Sequence, residues 1–148
     1  MAQSLAKIYV HLVFSTKLRQ PLIAEPILPE LHAYLAGILN TQNCPTLQVG
    51  GMADHVHILF QLARTKSLSE VVEEVKKSSS KWMKTKGAEH FSWQNGYGAF
   101  SVSESNMKDV VRYIQNQEAH HRTIDFQDEL RTLLDEFGIA YDEKYLWD

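Results

Sequence analysis

The stretch His55-Val56-His57-Ile58-Leu59-Phe60-Gln61-Leu62 (HVHILFQL, residues 55–62) alternates, with Val56, Ile58, Phe60 and Leu62 at every second position and the two histidines between them. Successive side chains of a strand point to opposite faces, so the run reads as a half-buried strand. Its apolar residues face inward and its two histidines share the other face. Just upstream, Leu47 and Val49 lead into Gly50-Gly51, and this short glycine-containing link predicts an antiparallel hairpin. Further out, residues 8–15 (IYVHLVFS) put Ile8, Val10, Leu12 and Phe14 on one side, and residues 97–103 (YGAFSVS) read as another strand.

Between the strands the apolar spacing becomes helical. After Pro21, Pro26 and Pro29, Leu28, Leu31, Leu35, Ile38 and Leu39 recur at that spacing as far as Asn40. Val71, Val72, Val75, Trp82 and Met83 continue it from Leu68 to about Lys86, with Ser67 or Ser69 available as a cap. Met107, Val110, Val111 and Ile114 predict a third helix after Ser105. Phe126, Leu130, Leu133, Leu134 and Phe137 predict a last one, closed by Gly138. The first six elements then follow a ferredoxin-like split βαβ plan. The expected fold class is α+β, a ferredoxin-like antiparallel sheet with helices packed on one face and additional C-terminal helices, in a single domain over residues 1–148. This architecture hosts many activities and leaves function open.

A chain of 148 residues with 44% apolar content suits one globular domain. No apolar run is long enough to span a bilayer and the first residues lack a signal-peptide pattern, so no membrane partner and a cytoplasmic location are expected. The lone cysteine, Cys44, reads as a small buried residue. Net charge is −3, which speaks against a protein coated in basic surface, but the average hides an asymmetry. Residues 1–117 carry 12 Lys and Arg against 9 Asp and Glu, a net +3, whereas residues 118–148 carry 3 against 9, a net −6. The body is mildly basic and the tail acidic; the tail is expected to pack on the body or a second subunit, anchored by Leu146 and Trp147.

Three groups of residues carry chemistry. His55 and His57 converge without a loop to position them, as metal ligands do, although a polar strand face would look the same. Tyr113 and Gln117, four apart on the third helix, share a face at the margin of its apolar stripe. A half-buried aromatic with its hydroxyl in water is the plain alternative for Tyr113. Lys76, Lys77, Lys81, Lys84 and Lys86, interleaved with Ser78, Ser79 and Ser80, make either a solvated helix face or a strip for phosphates, to which Lys17 and Arg19 would add. His120 and His121 point about 100° apart on a helix and read as surface or helix-end residues. His11, on the non-core face of its strand, lies either beside the histidine pair or in a structural hydrogen bond.

Taken in order, the opening strand with Lys17 and Arg19 (YVHLVFSTKLRQPL), the His-Val-His strand (DHVHILFQL), the SSSKW stretch, the WQNGYGAFSV segment and the YIQNQ helix resemble the single-tyrosine HUH transposases of the smallest bacterial insertion sequences. The resemblance covers most of the chain. It implies that His55, His57 and Gln117 coordinate a divalent metal, Mg2+ or Mn2+, and that Tyr113 is the catalytic nucleophile, leaving a 5′-phosphotyrosine and a free 3′-hydroxyl. It further implies single-stranded DNA as partner, folded as an imperfect hairpin, with Lys17, Arg19, Lys76, Lys77, Ser80 and Lys81 in DNA contact. It also implies a homodimer whose active sites are shared between subunits. Two other functions fit the same residues: a domesticated relative acting on repeated palindromic elements, and an unrelated ferredoxin-like metal hydrolase in which Tyr113 is only structural.

Overall fold

The computed structural model describes residues 2–148. Strands β1 (Tyr9–Ser15), β2 (Thr46–Met52), β3 (His55–Gln61) and β4 (Gly98–Val102) form one antiparallel sheet in the order β2-β3-β1-β4, the ferredoxin-like arrangement. Helices α1 (Leu28–Thr41) and α2 (Leu68–Thr85) cover one face and enclose the main core. Val10, Leu12, Phe14, Val56, Ile58 and Phe60 meet Leu31, Leu35, Val71 and Val75 there, as the two periodicities require. Helix α2 opens with a full capping box, Ser67 accepting from the Glu70 backbone and Glu70 reaching back to the Ser67 N–H. Ile8, expected on the inner face, lies just outside β1 and is exposed.

The additional C-terminal helices cover the opposite face. Helix α3 (Met107–Gln115) lies over β2 and β3, where Ile114 packs with Tyr9 and Leu59. After Asn116 the chain continues as a short α4 (Gln117–His120), and α5 (Phe126–Glu136) packs Phe126, Leu130 and Leu134 on Val13 and Phe100. A last turn, α6 (Glu143–Leu146), brings Leu146 and Trp147 onto α5. The acidic tail thus packs against the body. Asp148 O accepts from the Asn95 and Gly96 backbones, and the Trp147 ring lies between the guanidinium groups of Arg19 and Arg131. Among the described residues no helix is long and apolar enough to cross a membrane.

One close approach sets how deeply α3 sits. Gly50 of β2 pairs with His57, and a Cβ there would lie 2.5 Å from the Ile114 carbonyl oxygen and 2.8 Å from its Cγ2. Backbone cannot yield as a side-chain tip can. Gly50→Ala is therefore expected to lift α3 and lower the thermal unfolding midpoint by about 3–10 °C, by analogy with other overpacked sites. An unchanged midpoint in a calorimetric scan would show that α3 has room to move.

Candidate active site

The site lies on the sheet face opposite the main core, between the footprints of α3 and α5. Strand alternation sends His55 and His57 to this face, both fully buried, and His11 joins them from β1. Helix α3 lays Tyr113 beside them, with ring centroids 5.7 Å from His57 and 6.1 Å from His11. Gln117 follows one turn later, 2% exposed, and from α5 Glu129 enters the same space, also 2% exposed.

Glu129 is the hub of the network. Its Oε1 accepts from His57 Nε2 at 2.8 Å and His121 Nε2 at 3.2 Å, and its Oε2 accepts from Gln117 Nε2 at 3.0 Å and from the Tyr113 hydroxyl. Burying a carboxylate is costly unless it is paired and hydrogen-bonded, and here all these donors serve one group. On the far side of His57, Nδ1 lies 2.8 Å from His11 Nε2. That pair can run its hydrogen bond in either direction, so His57 Nε2 can donate to Glu129 or present a lone pair.

The donor set fits a cation. Ligand atoms of His55, His57, His121 and Glu129 all lie within 4.8 Å of one another. Asp54 Oδ1 lies 2.7 Å from His55 Nδ1, the carboxylate support common behind metal-bound imidazoles. On the other side of the ring His55 Nε2 lies 3.0 Å from Gln117 Oε1, whose own amide nitrogen is committed to Glu129, and a cation bound here would take both atoms. Imidazole, amide and carboxylate donors in this arrangement suit a divalent metal ion.

The electrostatics follow from this crowding. Burial opposes ionisation of Glu129, but hydrogen bonds from His121 and His57 outweigh it and hold the carboxyl well below its usual range. Burial and the Glu129 carboxylate together push the Tyr113 phenol above its ordinary value. His57 is pushed down to about 4 by burial, against the pull of Glu129, and His11 to about 3 by burial and its neighbour His57. Burial acts to lower His121 as well, yet there the Glu129 hydrogen bond prevails and raises it. Tyr113 therefore rests protonated beside neutral His57 and ionised Glu129.

The structure brings together His55, His57, Tyr113 and Gln117 within one chain, Gln117 Oε1 3.0 Å from His55 Nε2 and the Tyr113 ring beside that of His57. His121, read as a surface or helix-end residue, instead points into the site, its Nε2 2.9 Å from Gln117 Oε1. The spacing Tyr113, Gln117, His121 carries that signal. Asp54 and Glu129 have no motif, although Glu129 stands out as an acid on the apolar stripe of α5 between Phe126 and Leu133.

The expected DNA strip divides. Lys76 is not free for phosphate: its Nζ donates to the carbonyls of Gln94, Asn95 and Gly96 at 2.8, 3.2 and 2.6 Å, and burial lowers its pKa to about 8. Ser79 is buried, donating to Val75 O and accepting from Trp93 Nε1. Ser78 bonds Glu74. Lys17, Lys77 and Lys81 are exposed, Ser80 is half-buried, and Arg19 is half-buried against Trp147.

A tyrosine set against a histidine pair able to hold a cation, on one face of a ferredoxin-like sheet, defines the class of HUH single-tyrosine transposases. The sequence profile of the family described as "Transposase IS200 like" matches residues 4–117, and the chain belongs to that family. It is accordingly a DNA-processing enzyme of DNA transposition. No protein with a curated description matches it. Among solved structures it is similar to a candidate transposase from Deinococcus radiodurans R1, with 22% identity, a TM-score of 0.62, and 79% of this chain and 98% of that one covered. It is also similar to a REP-associated tyrosine transposase bound to a REP hairpin, with 14% identity, a TM-score of 0.61, and coverage of 82% and 73%. At these identities both likenesses speak for the fold.

Proposed function

We propose that the chain cuts and rejoins single-stranded DNA by transesterification through Tyr113. The reading rests on one observation above others: the Tyr113 hydroxyl and the cation-competent imidazole of His57 meet on the same buried carboxylate. His55, His57 and Gln117, with Glu129 beside them, would hold magnesium or manganese, which supplies Lewis-acid polarisation of a phosphate oxygen. Tyr113 Oη forms a bond to phosphorus as the bond from phosphorus to the 3′-oxygen breaks. The phenol proton has an acceptor in place at Glu129 Oε2, and the departing 3′-oxygen takes up a proton. The resulting 5′-phosphotyrosine keeps the energy of the diester, so attack by a 3′-hydroxyl reverses the step without ATP.

The experiment is incubation with labelled single-stranded hairpins and manganese, followed by denaturing electrophoresis. A denaturant-stable protein–DNA adduct is expected on unpaired DNA and not on plain duplex; release of DNA by simple hydrolysis, without an adduct, would favour the metal-hydrolase alternative. A folded hairpin is the substrate we favour, because the solved REP-associated relative binds one. Lys17, Arg19, Lys77, Ser80 and Lys81 are the proposed phosphate-binding residues. Replacing Lys17, Lys77 and Lys81 by Ala is expected to flatten the salt dependence of binding by a slope of roughly 0.7 for each phosphate no longer neutralised. An unchanged slope would return them to a solvated surface.

A homodimer could carry two such within-chain centres, or rebuild the same centre by exchanging tyrosine helices between subunits. Mixing His55→Ala with Tyr113→Phe protein separates the two assemblies. We expect the exchanged mixture to recover up to half the wild-type adduct, all on the His55→Ala chain, as active sites shared between subunits require; a mixture that stays inert although heterodimers form would mean that each chain uses its own tyrosine.

A further inference from the structure

Beside Tyr113 the uncovered part of this sheet face forms a cavity of about 410 Å3 between β4, α3 and α5. Its apolar lining includes Phe100, Val102, Val110 and Phe137, with Phe100 and Phe137 ring centroids 4.8 Å apart and Phe137 46% exposed. Asp109 and Glu136 also line it, and Glu129 and His120 stand at the end nearest Tyr113. The His120 Nε2 atom is buried and, though 3.1 Å from Glu129 Oε2, lacks the angle for a hydrogen bond.

We infer that this cavity is a binding site for one unstacked nucleobase bearing an exocyclic amino group, on a nucleotide flanking the scissile phosphate. The inference rests on the strand cleavage proposed above. The Asp109 and Glu136 carboxylates make the cavity hostile to a phosphate, so the backbone stays at the histidines and the neutral base is the part of the strand that enters. The volume is ample for a base, and the aromatic pair offers a face on which any base can stack. The carboxylates are acceptors and so reward bases that donate: cytosine N4, adenine N6 and the guanine edge. Thymine offers two carbonyls and one N–H and is disfavoured.

The test uses a randomised single-strand library and sequencing of the DNA trapped as covalent adduct. Wild-type protein is expected to deplete thymine about fivefold or more at one position flanking the junction. The double variant Asp109→Asn, Glu136→Gln should relax that depletion, as should Phe137→Ala. Both alter exposed side chains, and matching thermal midpoints would confirm folding. Even base frequencies on both sides of the junction, or a bias that neither variant changes, overturn the assignment. A second measurement does not depend on cleavage: titration of metal-free protein with dCMP or dTMP, followed by amide chemical shifts. Shifts at Val102, Val110 and Phe137 with dCMP and weaker ones with dTMP support the site, and equal shifts or none there refute it. If no adduct forms at all, the cleavage reading falls while the titration still decides the cavity.

Discussion

Tyr113→Phe protein is expected to form no covalent adduct with DNA under any metal condition, while its affinity for hairpin DNA stays within about twofold of wild type. The ring keeps its packing against His57, His11 and His120, so the surface offered to DNA is nearly unchanged. Glu129 loses one donor but retains His57, His121 and Gln117, so the stability change should be about 1 kcal/mol. Denaturing electrophoresis reads the adduct and filter binding the affinity. A denaturant-stable adduct from the Phe variant would dismiss Tyr113 as nucleophile.

His57→Ala is expected to remove both cleavage and measurable manganese binding, whereas Gln117→Ala should weaken binding and recover cleavage at higher metal. His57 is fully buried between His11 and Glu129, so its removal leaves the His11 ring nitrogen on one side and a carboxylate oxygen on the other without their partner. A modest stability cost of about 1–3 kcal/mol comes with it. Gln117→Ala leaves the two imidazoles, His121 and Glu129 around the same space. Isothermal titration with manganese distinguishes the variants, and wild-type affinity in His57→Ala would take that residue out of the ligand set.

The sheet was legible because its strands have one strongly apolar face: alternation in residues 55–61 gives both the strand and the convergence of its histidines. Spacing alone put Tyr113 and Gln117 on one helix face; the helix breaks at Asn116, so Gln117 opens α4, yet the two still reach the same site, and their role came from resemblance. Glu129 was not legible as part of the site. It lies 72 residues from His57, and only the packing of Phe126, Leu130 and Leu134 onto Val13 and Phe100 turns it inward. Lys76 fails for the same reason in reverse. In sequence it resembles Lys77 and Lys81, yet it follows Val75 on the flank facing the loop at residues 94–96, whose carbonyls claim its charge.

The two faces of the sheet are held differently. One carries a continuous core beneath α1 and α2, whereas the other has two separate clusters, one under α3 and one under α5, with the histidines between them. Free energy of opening scales with the apolar surface exposed, so parting α3 from α5 costs less than unfolding the sheet. The amide protons of β1 and β3 would then exchange with solvent only through whole-molecule unfolding, and those of α3 and α5 through smaller excursions. Such partial opening gives a bulky strand a wider route to the buried histidines, which keep their register on the unmoving strands beneath.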